Sequence, residues 1–100
     1  MEQHYNKLTP QQAELLSKLS EECAEVIHIV AKIQLHGLLS CHPETGRCNH
    51  ELLHQELGDV QCVQNLLKKI GMVNVEQVAF NAEVKHGKLI PTLHHYSETP

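Results

Sequence analysis

"LSKLSEECAEVIHIV", residues 16–30, reads as an amphipathic helix whose apolar seam is broken once. Leu15, Leu19, Val26, Ile29 and Ile33 recur at steps of four, seven, three and four, the spacing of a core-facing helical stripe. The position that should fill the long step is Glu22. The stretch "NHELLHQELGDVQCVQNLLKKI", residues 49–70, repeats the pattern. Its seam is Leu53, Val60, Val63, Leu67 and Ile70, and the gap is filled by Glu56.

Each interrupting glutamate has an acidic partner three residues on, Glu25 after Glu22 and Asp59 after Glu56. An i,i+3 pair lies on one helical face, about one turn apart. If the helices pack antiparallel through their seams, four carboxylates meet between them. Burial and mutual repulsion make the ionised form of such a set costly. The cost is met either by protonation or by divalent cations. An oxygen-only donor set selects hard ions, so Mg²⁺ is expected, with Mn²⁺ as the alternative. The plainer reading is that each glutamate sits at the seam edge and reaches water along its stem. The repetition of the same interruption with the same i,i+3 partner favours a metal site.

Punctuation around these stretches gives an all-α chain of three helices. Thr9-Pro10-Gln11-Gln12 supplies an N-cap, a proline at the first helical position and a capping-box glutamine. The first helix is expected from Pro10 to His36, stopping at Gly37. "LLSCHPETGRCNH", residues 38–50, reads as a loop from its proline, glycine and polar density. Asn49 is the expected cap of a second helix that continues to Ile70 and ends before Gly71. Asn74 and Gln77 open a third helix expected to reach Gly87, and from about residue 91 the polar tail is expected to be loose.

The chain of 100 residues is one domain at most. It has few aromatic side chains to fill a core, so homo-oligomerisation is expected to complete it. The formal charge of −4 argues against a general nucleic-acid binder. The absence of a long apolar run argues against a membrane partner, and the polar start of the chain lacks the apolar segment of a signal peptide. A cytoplasmic location is therefore expected, and with it free thiols. Cys23 and Cys62 fall within helical patterns and are expected to act as small buried hydrophobes. Cys41 and Cys48, with His42, His50 and His54 nearby, could assemble a zinc site, although their spacing matches no standard finger.

"EECAE", residues 21–25, and "ELGD", residues 56–59, resemble the paired EExxE and ExxD motifs of the MazG-like all-α nucleoside triphosphate pyrophosphohydrolases. "FNAEVKHGK", residues 80–88, is similar to the family's Asn and Lys segment. The resemblance implies an antiparallel helical bundle occupying residues 1–100. It further implies Mg²⁺-dependent cleavage of a nucleoside triphosphate, a dNTP or modified NTP, between the α and β phosphates.

By the same resemblance Glu22, Glu25, Glu56 and Asp59 would be the metal ligands, and Glu22 or Glu25 would orient or deprotonate the attacking water. Glu21 would be an accessory acid, since it points off the seam. Asn81, Lys85 and Lys88 would face the triphosphate, with Lys32 as a further phosphate contact. The base would stack on Tyr5, Phe80, Tyr96 or a histidine, and the loop would help shape its pocket. A homodimer or homotetramer is expected. The alternatives are phosphoribosyl-ATP pyrophosphohydrolase, which is a relative of similar size, and a non-catalytic helical module with a zinc-binding Cys/His loop. Removing Cys41 and Cys48 together is expected to leave an enzyme of this kind unaffected.

Overall fold

The computed structural model describes residues 6–98, so Tyr5 lies outside it. The described chain is all-helical: α1 spans Pro10–His36, α2 Asn49–Lys69 and α3 Val75–Leu89, followed by a 3₁₀ turn at Ile90–Thr92. Among the described residues no helix is long and apolar enough to cross a membrane.

Local chemistry accounts for most of the boundaries. Thr9 Oγ1 accepts from the Gln12 backbone N–H at 3.1 Å, and Gln12 Oε1 accepts from the Thr9 N–H at 3.0 Å. This reciprocal capping box satisfies two donors that the first turn leaves unpaired. α1 stops at Gly37, whose φ of 96° is open to a glycine and strained for other residues. α2 closes at Gly71, also at positive φ, with the Met72 N–H returned to the Leu67 carbonyl at 3.0 Å. Asn74 Oδ1 accepts from the N–H groups of Glu76 and Gln77 and opens α3.

Two sequence expectations are corrected here. Asn49 does not cap α2. The cap is Cys48, whose carbonyl accepts from the Leu52 N–H at 3.1 Å without any side-chain capping bond. Asn49 is instead buried and donates through Nδ2 to the Gly37 carbonyl at 3.0 Å, tying the end of α1 to the start of α2. α3 does not stop at Gly87, because nothing there demands a left-handed turn, and it runs to Leu89, close to Pro91. Beyond it residues 91–98 are all exposed, and none after the 3₁₀ turn is helical. Glu98 Oε1 returns to His86 Nε2 at 2.9 Å, and Thr92 Oγ1 donates to the Leu89 carbonyl at 2.6 Å.

α1 and α2 run in opposite directions. Asn49 meets Gly37, Leu52 shares a cavity with Lys32 and Ile29, and Glu56 and Asp59 meet Glu22. The seams face each other as their spacing requires: Ile29, Val63 and Leu67 are buried, while Leu15, Leu19, Val26, Ile33, Leu53 and Val60 are half-buried. Cys23 and Cys62 are exposed rather than buried. Each stands one residue from a seam position, and one residue is a rotation of about 100° around a helix.

α3 buries none of its residues and packs chiefly on the 3₁₀ turn that follows it. The radius of gyration is 17.4 Å, against about 13 Å for a compact chain of this length. The exposed surface is 8143 Å², against roughly 5,700 Å² for a compact protein of this mass. The three-helix chain is thus an antiparallel pair with an outlying third helix.

Candidate metal centre and adjoining cavities

The two interrupted seams converge. Glu22 from α1 and Glu56 and Asp59 from α2 are each half-buried, and one carboxylate oxygen of each lies within 4.8 Å of the others. The antiparallel register produces this meeting: both glutamates occupy seam positions, so the pairing that buries Ile29 and Val63 also brings their carboxylates together. Partial burial pushes the Glu56 carboxyl above the ordinary carboxylate range, and the negative charges of Asp59, Glu25 and Glu22 push it further. Arg47 acts in the opposite direction.

Glu25 stands apart from that three-residue cluster. It is exposed, and it lines a cavity of about 200 Å³ with His28, Ile29, Lys32, Leu52 and Glu56. Glu21 points away from the seam, as the sequence predicts, and pairs with Lys18 at 2.9 Å on open surface, where such a pair contributes little. Lys32 borders the carboxylates on one side. On its other side lies a larger cavity of about 330 Å³, bounded by Lys32, His36, Cys41, His42, Asn49 and Leu52 among others. Lys32 and Leu52 line both cavities, so an acidic recess and a loop-walled recess adjoin along one groove.

Asn81, Lys85 and Lys88 are exposed on α3 and line neither recess. Asn81 donates back to the Gln77 carbonyl at 2.8 Å. The single chain therefore does not bring these three residues to the carboxylates. His28, His36 and Leu52 were not singled out as candidates from the sequence. His28 precedes seam residue Ile29, and His36 lies one turn beyond Lys32. The signal that could have found the two histidines is their shared helical face with Glu25 and Lys32, and for Leu52 it is its place one turn before Glu56 on α2.

The loop is the largest departure from expectation. Cys41 and Cys48 are joined by a disulfide, whereas free thiols were expected. The pair closes an antiparallel bridge. It is flanked by bonds from the His42 N–H to the Arg47 carbonyl, from Gly46 to His42, from Asn49 to Ser40 and from His50 to Leu38, all at 2.8–2.9 Å. Folding the loop into this hairpin brings the two sulfurs together, and a spacing of seven residues does not announce it. His50 and His54 stack edge to face at 4.5 Å, and His54 Nδ1 lies 2.8 Å from the His50 carbonyl.

Comparison with protein-family models, curated proteins and solved structures finds no match to this chain.

Proposed function

We propose that this chain is a MazG-like, Mg²⁺-dependent nucleoside triphosphate pyrophosphohydrolase acting on dNTPs or modified NTPs. It would hydrolyse the α–β phosphate bond and release a nucleoside monophosphate and pyrophosphate. The observation that supports this reading above any other is the convergence of Glu22, Glu56 and Asp59 within 4.8 Å at the two breaks in otherwise apolar seams.

The donor set suits a hard cation. It consists of carboxylate oxygens alone, half-buried and mutually repulsive, with Glu56 driven toward its protonated form. Glu22, Glu56 and Asp59 would hold Mg²⁺ or Mn²⁺, and Glu25 borders them through the shared recess. When bound, the cation supplies positive charge that offsets the carboxylates and the phosphate oxygens. Glu22 or Glu25 orients the attacking water and accepts its proton. Lys32, beside Glu25 and Glu56, donates to a phosphate oxygen and balances charge on the departing pyrophosphate. The remaining groove, walled by His36, His42 and Asn49, accommodates the nucleoside end.

The Asn81, Lys85 and Lys88 face belongs to the triphosphate site by resemblance, and its position on α3 requires assembly for it to reach a cluster. A homodimer or homotetramer that completes the antiparallel bundle would provide this. α3 favours the assembly because it carries apolar residues on two sides, Val75, Val78 and Leu89 on one and Phe80 and Val84 on the other, all exposed. A helix apolar on opposite sides is suited to burial between two neighbours. A cytoplasmic location accompanies this reading.

The test is pyrophosphate release from a panel of canonical and modified nucleoside triphosphates, with Mg²⁺ and with EDTA, beside Glu56→Gln. Release that needs Mg²⁺ and is lost in a still-helical variant supports the proposal. No release from any triphosphate by a protein that binds Mg²⁺ refutes it.

A further inference from the structure

The loop disulfide stands where it can govern the groove. Cys41 lines the larger recess, and Cys48 caps α2, whose first-turn residues Asn49 and Leu52 line the same recess. The sulfur–sulfur bond therefore ties the loop wall to the helix that forms the floor. The other ties are hydrogen bonds, from the Asn49 N–H to the Ser40 carbonyl, from His50 to Leu38 and from Asn49 Nδ2 to Gly37. Residues 39–47 are all exposed, so no buried apolar contact anchors the wall, and the bonds from His42 to Arg47 and from Gly46 to His42 lie wholly within that exposed segment. Segments held in this way open at low free-energy cost. Cys41 is itself exposed, which leaves its sulfur open to an attacking thiolate. Cys48 sits at a helix N-terminus, which stabilises a departing thiolate.

We propose that the Cys41–Cys48 disulfide is a reversible latch on the wall of the recess beside the acidic cluster, opened by a dithiol reductant. One thiolate of the reductant attacks Cys41 Sγ. A mixed disulfide forms as the Cys41–Cys48 bond breaks and Cys48 leaves as a thiolate. The second thiol of the reductant then displaces Cys41, so the reductant departs as a disulfide. Two electrons and two protons pass to the protein, leaving two free thiols. With the latch open, the wall at Ser40–Pro43 is held to Asn49 by hydrogen bonding alone, it opens more often, and the recess loses the fixed shape that grips a ligand. In a reducing compartment the closed form is then the transient, signalled state. This part rests on the proposed function insofar as the ligand is a nucleotide. It departs from the sequence expectation that removing the two cysteines is silent.

The experiment compares the full chain purified without reductant, the same sample after dithiothreitol, and Cys41→Ser/Cys48→Ser. Amide exchange is read by mass spectrometry, and KM and kcat are read with each of the four canonical dNTPs. Reduction is expected to raise exchange at the amides of His42, Gly46, Asn49 and His50 by about tenfold or more while the centres of α1 and α2 hold. KM is expected to rise with kcat retained. The double variant is expected to match the reduced protein and to ignore dithiothreitol, and reoxidation of the wild type is expected to restore the starting state. Unchanged loop exchange overturns the latch, as does alkylation of all four cysteines after mild oxidation. Faster exchange with unchanged KM overturns the link to the recess. If no canonical dNTP is hydrolysed, the dNTP arm of the proposed function falls, and the exchange result still judges the latch.

Discussion

Glu22 on α1 and Asp59 on α2 bring carboxylate oxygens within 4.8 Å of each other across the helix pair. Glu56, which fills the gap in the α2 seam, completes the cluster. Two like charges held that close, with a third beside them, form a structure that favours a cation or a proton between them.

If Glu22 and Asp59 hold one ion, their losses do not add. Glu22→Gln and Asp59→Asn are each expected to lower kcat by about 10²–10³-fold, and the double variant is expected to fall little further. Steady-state pyrophosphate release for the three proteins, with circular dichroism to establish retained helix, checks this. Multiplicative losses would show that the two carboxylates act separately.

The raised Glu56 carboxyl makes a signed prediction about pH. In the folded chain it binds its proton more tightly than at its ordinary value of 4.5. The folded state therefore carries more protons than the unfolded one above that pH, and stability falls as pH rises through the window up to the folded value. Metal-free wild type is expected to lose Tm across this window, and Glu56→Gln is expected to lose less and to melt higher at neutral pH. Mg²⁺ is expected to raise the Tm of wild type and to have little effect on the variant. Thermal melts from pH 4 to 8, with EDTA and with Mg²⁺, measure each difference. A variant that melts lower at neutral pH would remove the electrostatic account.

Lys32 is the cation that borders both recesses. Lys32→Ala is expected to raise KM for a triphosphate about tenfold, the effect of losing one charge-assisted contact, without loss of helix. A variant with the wild-type KM would assign Lys32 to solvent.

The core is small, so individual residues within it matter. Leu67 is 2% exposed, and Leu67→Ala is expected to cost about 2–5 kcal/mol. Leu35 is 76% exposed on α1, and Leu35→Ala is expected to stay within about 0.5 kcal/mol in the single chain. Urea titrations of both variants separate them, provided that m is unchanged.

The helices and the acidic cluster were largely legible in the sequence because both are written in local pattern. Thr9, Gly37, Gly71 and Asn74 act within a few residues of themselves, and the breaks at Glu22 and Glu56 need only the helical period and an antiparallel pairing. The loop was not legible. Its shape depends on bonds such as His42 to Arg47 and Asn49 to Gly37, which pair groups across a hairpin that no periodicity encodes. Asn49 shows the difficulty well. Its residue type and position suit a cap, yet its amide serves a carbonyl at the far end of the loop. Cys23 and Cys62 show another limit, because a helical pattern assigns a face only to about one residue, and one residue decides between inside and out.

α3 lies along the outside of this chain with Val78, Phe80 and Val84 open to water. If a second copy covers them, folding and association become one equilibrium, and the melting temperature rises with the amount of protein in solution. The dose of the polypeptide would then set whether the acidic cluster exists as a working site at all. Dilution alone would silence it, with no inhibitor and no change in sequence.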